Sequence, residues 1–164
     1  MHSGNSDENM IVDNGQFFSQ VTRLLKSGHT VTIPVKGCSM LPFIRGDRDA
    51  VVLEGIESGT PEGRKRIEAK VGDIVLFFCD GRHIMHRIIA TDGNRLRIQG
   101  DGITVGEEHC LRNDVCGKVV TILRRKSMRI DPYSPRMMRR LAVWNALKPV
   151  RRYLLAIIRR LPIS

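Results

Sequence analysis

Residues 71–90 read VGDIVLFFCDGRHIMHRIIA. Two apolar runs, rich in Ile, Val and Phe, flank Asp80-Gly81. An Asp-Gly pair between such runs is a strong short-range signal for a β-hairpin, because both central positions of the tight turn need a positive φ. This stretch commits the middle of the chain to antiparallel strands. A second turn signal, Asp92-Gly93-Asn94, leads into LRIQ at 96–99. Upstream, TVTIPVKG alternates, with Val31, Ile33 and Val35 on one face and Thr30, Thr32 and Pro34 on the other; Pro34 favours an edge or a bulge. DAVVLEGI at 49–56 and CGKVVTILRR at 116–125 read as further strands. The polar stretch ESGTPEGRKRIEAK between them reads as a loop. Residues 13–28 fit a short amphipathic helix, with Phe17, Val21, Leu24 and Leu25 at spacings of three and four and Gly28 at its end. The expected body is therefore a compact, mainly β fold of short strands and tight turns.

Charge divides the chain. Residues 1–123 hold 15 Lys and Arg against 16 Asp and Glu; residues 124–164 hold 12 against Asp131 alone. The formal charge of +10 therefore belongs to the C-terminal segment. Three regions follow: a leader and short helix at 1–28, a body at 29–124, and a basic tail at 125–164. In the tail, basic clusters alternate with Leu, Ile, Trp and Tyr. Met138, Leu141, Val143 and Trp144 suit one helical face, broken near Pro149. Leu154, Leu155, Ile157 and Ile158 suit a second. Short, basic, amphipathic helices are the pattern of an interfacial segment. The tail is thus expected to meet an anionic membrane surface through residues 134–164; a solvated helix packed on the body is the bland alternative. The interleaved apolar residues favour a membrane or a partner groove over nucleic acid.

No apolar run reaches the length of a conventional transmembrane helix. The first ten residues, MHSGNSDENM, have neither the basic nor the apolar part of a secretory signal peptide. The four cysteines, Cys38, Cys79, Cys110 and Cys116, make no CxxC pair and no zinc-like spacing with the five histidines. They read as reduced thiols in a cytoplasmic protein, peripheral at the inner membrane face, with a Cys110–Cys116 disulfide as the alternative. No cofactor or metal is implied.

The chemistry centres on VKGCSMLPFIRGD, residues 35–47. Ser39 follows a strand-like run, where it serves either as a turn residue or as a nucleophile. A nucleophilic serine needs a base within reach and donors for the oxyanion. Among the histidines, His2 lies in the leader, His29 in a turn and His83 beside the hairpin turn. His86 stands out because it shares a strand face with Ile84 and Ile88, where a titratable ring has either a buried partner or a chemical role.

Four ordered blocks, GCSMLPFIRGD, VGDIVLF, IMHRII, and IQGD with VCGKV, resemble the LexA/signal-peptidase superfamily of serine peptidases. The resemblance spans residues 30–123. It implies a LexA/signal-peptidase-like β fold, with Ser39 as nucleophile and His86 as general base. It also implies an endopeptidase that cleaves a peptide or protein precursor at small residues. LexA-type repressors and bacterial signal peptidases use lysine as base; the histidine here is similar to archaeal and endoplasmic-reticulum signal peptidases. A histidine is neutral near pH 7 without the desolvation a lysine requires. The base wants a carboxylate to fix its tautomer. Asp101 is the first candidate, Glu107 the alternative and Asp114 the third. The backbone amides of Cys38 and Ser39 are the expected oxyanion donors, with Gly37 admitting the substrate backbone. Three rival readings stay open: a Cys38 nucleophile, a self-cleaving LexA-like regulator, and a non-catalytic peptide-binding member using a sheet edge.

Overall fold

The computed structural model describes residues 14–58 and 65–162. The leader, His2 and the middle of the expected 57–70 loop lie outside the described residues.

The fold is mainly β, with helices at both ends. Helix α1 spans Asn14–Lys26. The strands are β1 (Val31–Pro34), β2 (Asp49–Gly55), β3 (Glu57–Ser58), β4 (Lys65–Arg66), β5 (Ile74–Cys79), β6 (Arg82–Asp92), β7 (Arg95–Gln99), β8 (Glu108–Leu111), β9 (Val115–Arg124) and β10 (Met128–Ile130). Helices α2 (Pro135–Ala146) and α3 (Arg151–Arg160) follow, joined by a 3-10 turn at Lys148–Val150. The main sheet is antiparallel with the order β1-β2-β9-β5-β6-β7-β8, and β10 pairs with β9. A separate β3–β4 pair forms within the segment read as a loop.

The hairpin joining β5 and β6 turns at Asp80 (φ 50°) and Gly81 (φ 75°), as the Asp-Gly signal requires. Central strand β5 is apolar without alternation because it is covered on both faces. Ile74 and Leu76 enter one core with Ile33, Val51, Leu53, Val119 and Ile122. Val75 and Phe77 enter a second with Ile88, Leu96, Ile98, Cys110 and Val115. Helix α1 closes the first core, and Leu25 occupies the space that a side chain on Gly117 would need.

Part of the tail packs on the body. Met137, Leu141, Trp144 and Leu155 are buried in the first core, with Leu154 and Ile158 packed against it. Only part of each expected face turns inward, since Met138, Val143 and Ile157 are exposed. Pro135 starts α2 behind Ser134, whose hydroxyl accepts from the Met137 amide. Tyr133 fastens the start of the tail: its hydroxyl donates to the Val119 carbonyl (2.7 Å) and accepts from the Ile74 amide (3.1 Å). Arg45 donates to the carbonyls of Ile158 and Leu161 at the far end. Among the described residues, no helix is long and apolar enough to cross a membrane.

Candidate functional site

Ser39 stands in the loop that leaves β1. The base of the loop is closed by backbone hydrogen bonds from Gly46 to Gly37 (3.0 Å) and from Asp47 to Val35 (3.0 Å). Gly46 lies so close to Gly37 that a Cβ would sit 2.4 Å from its carbonyl oxygen. Met40, Leu41, Phe43 and Ile44 then sink into the core. Burying these four side chains anchors the loop, leaving Ser39 half-buried and Cys38 exposed at its lip.

The 100–102 segment packs against this loop. The Gly102 amide donates to the Ser39 carbonyl at 2.8 Å. A Cβ on Gly100 would fall 2.4 Å from the Ser39 carbonyl oxygen and 3.0 Å from His86 Cδ2. Gly100 therefore separates the Ser39 backbone from the imidazole edge that carries Nε2, and only a residue without a side chain fits between them. Among the described residues, the amides of Cys38 and Ser39 have no acceptor, and the Ser39 hydroxyl makes no hydrogen bond.

His86 is buried, on β6. Its Nδ1 lies 3.0 Å from Glu108 Oε2. A carboxylate only accepts, so Nδ1 carries the hydrogen, and the tautomer with a lone pair has it on Nε2. The pairing follows from register. Glu108 on β8 is opposite Ile98 on β7, which is opposite Ile88 on β6. Ile88 and His86 are two residues apart and share a face.

The carboxylates expected to orient His86 are engaged elsewhere. Asp101 is buried and accepts from Arg87 Nε and Nη2, both at 2.8 Å. Arg87 also donates to the Gly72 carbonyl at 2.7 Å, and the Asp101 carbonyl accepts from Trp144 Nε1 at 2.8 Å. Asp101 thus ties the Gly100–Gly102 segment to β6 and α2. Glu107 is held by Arg97 at 2.8 and 3.0 Å. The Arg97 hydrogen bonds hold its carboxyl below the usual range. Asp114 accepts from the Leu111 amide in a local turn. The residue on His86 is Glu108, which the motif comparison passed over by one position.

The remaining histidines and cysteines stand apart. His83 stacks on Phe18 with centroids 4.8 Å apart, and burial pushes its pKa down. His29 is exposed at the end of α1, and His109 faces Glu107 at 3.3 Å. All four cysteines are free thiols. Burial, with Asp114 adding to it, pushes the Cys110 thiol up to about 12. No group of three or more His, Cys, Asp or Glu residues suited to a metal ion occurs among the described residues.

No protein-family model matches the chain, and no curated protein matches it.

Proposed function

We propose that this chain is a serine endopeptidase of the LexA/signal-peptidase kind, with Ser39 as nucleophile, His86 as general base and Glu108 as the acid that orients it. The observation that carries this reading is the pair formed by buried His86 and half-buried Glu108. It engages Nδ1 and leaves Nε2 as the basic nitrogen, while His86 Cδ2 borders the Gly100 segment that packs on the Ser39 loop. Ser39 Oγ attacks the scissile carbonyl carbon while His86 Nε2 takes its proton. Glu108 stabilises the imidazolium that forms. The two unaccepted amides, Cys38 and Ser39, donate to the oxyanion. Collapse of the tetrahedral intermediate returns the proton to the leaving amine; water, deprotonated by the same nitrogen, releases the acyl group. In unliganded sites the catalytic hydrogen bonds are often long, and they tighten when substrate binds.

The test is cleavage of a diverse peptide pool, read by mass spectrometry, with Ser39→Ala and His86→Ala alongside. Products lost in both variants support the reading and give the sequence preference. Products that persist in Ser39→Ala exclude it as nucleophile. A folded protein that binds peptides but yields no products, with or without anionic vesicles, is the peptide-binding alternative.

A further inference from the structure

A cleft of about 460 Å³ lies between α2 and the loop that follows Ser39. Four guanidinium groups line it: Arg48 and Arg124 from the body, Arg139 and Arg140 from α2. One carboxylate answers them. Asp49 takes Arg48 at 2.8 Å through both oxygens. Arg124 also faces this carboxylate, with Nε 3.5 Å away, and its Nη2 donates to the Phe43 carbonyl at 3.0 Å; Nε itself is buried and makes no hydrogen bond. Arg139 reaches only the Pro135 carbonyl, and Arg140 has no hydrogen bond or ion pair among the described residues. The cleft therefore holds an excess of positive charge, since Asp49 answers Arg48 and Arg124 while Arg139 and Arg140 face no carboxylate among the described residues.

Between the cations the lining is apolar. Phe43 and Trp144 form its inner part, and Val143 and Leu147 are exposed at 61% and 37%. Past the Lys148–Val150 turn, apolar exposure recurs at spacings of three and four. Val150, Tyr153, Ile157 and Leu161 are all exposed, beside exposed Arg152 and Arg160. Basic helices with a solvent-facing apolar stripe are suited to the membrane interface. We infer that this face docks on an anionic membrane, with a phospholipid headgroup phosphate in the Arg124–Arg139–Arg140 cleft and the Val143–Leu161 stripe among the acyl chains. A free phosphate matches only the guanidinium groups; a phospholipid matches both halves of the surface. The inference is independent of the peptidase reading, since none of these residues belongs to the proposed catalytic machinery.

Trp144 is the sole tryptophan in the chain, so its emission reports on the cleft. The full-length protein is titrated with phosphatidylcholine vesicles, with and without phosphatidylglycerol, and with inorganic phosphate at matched ionic strength. Co-sedimentation and Trp144 emission are read together. The expected result is co-sedimentation and an emission shift with the anionic vesicles alone. Arg139→Gln with Arg140→Gln weakens binding by about tenfold or more, given the usual contribution of each basic residue near an anionic surface. Arg152→Gln with Arg160→Gln removes equal charge outside the cleft and weakens it less. Equal losses in the two double variants overturn the headgroup site, as does an equal response to inorganic phosphate. Failure to bind either vesicle overturns the docking surface.

Discussion

Glu108 Oε2 lies 3.0 Å from His86 Nδ1, although a whole strand, β7, separates the strands that carry them. The side chain reaches diagonally over Ile98, on the face shared by Ile88 and His86. Neighbouring Glu107 points the other way, towards Arg97 and His109. Glu108→Gln should therefore lower kcat for peptide cleavage by about 10²- to 10⁴-fold, the range seen when a triad acid loses its charge. Glu107→Gln should leave kcat within a few-fold. Equal losses in the two variants would exclude Glu108 as the orienting acid.

Asp101 should behave differently. Its carboxylate is one half of a buried, bidentate ion pair with Arg87. Removing one partner leaves the other charge buried and uncompensated, at a cost of about 3–5 kcal/mol. Asp101→Asn should lower the denaturation midpoint sharply, while kcat per folded molecule falls far less than in Glu108→Gln. A stable Asp101→Asn protein with a Glu108-like loss of kcat would reverse the two assignments.

Gly100→Ala tests the contact between the Ser39 loop and His86. The added methyl group would sit 2.4 Å from a backbone carbonyl oxygen, which cannot turn aside as a side-chain tip can. Overpacking of this kind costs about 1–3 kcal/mol. Cleavage should fall by at least about 10²-fold, since displacements of about 1 Å already have such effects. Wild-type turnover in this variant would mean that the two elements do not need this spacing.

Asp49 sets a pH dependence. Burial alone would push its pKa up, but hydrogen bonds from Arg48 and the Arg45 amide, with the charges of Arg48 and Arg124, outweigh it and hold the carboxyl below its usual range. A carboxyl depressed in the folded state adds stability above its unfolded pKa, near 3.9. That contribution is lost as the pH falls through the lower, folded value. Urea unfolding should thus show wild type losing more stability than Asp49→Asn on going from neutral pH to below about pH 4. Parallel pH profiles for the two proteins would contradict the shift.

Several elements were legible because local chemistry decides them. The Asp80-Gly81 hairpin needs positive φ at both turn residues, and the run 74–77 is apolar on both faces because both are covered. The helix break near Pro149 appears as the Lys148–Val150 turn. Short strands β8 and β10 were not read, since four- and three-residue segments carry too little periodicity. Which half of each tail face turns inward was equally hidden, because Trp144 is buried through a partner, the Asp101 carbonyl, 43 residues away.

The amino-acid sequence by itself determined the mainly β class, the order of the strands around the main turns and the concentration of positive charge in the tail, whereas Ser39 and His86 were singled out by the resemblance of their motifs to a peptidase superfamily. The first three follow from periodicity, turn chemistry and composition, which act over a few residues. Tertiary structure alone decided that Glu108 rather than Asp101 or Glu107 meets His86, that Asp101 serves Arg87, and that the tail is partly core. Strand side chains alternate with period two, so a shift of one residue in the pairing of β7 and β8 moves a carboxylate to the opposite face. That register is set by the packing of Ile88, Ile98 and Cys110 in the second core, a long-range condition that no short motif contains.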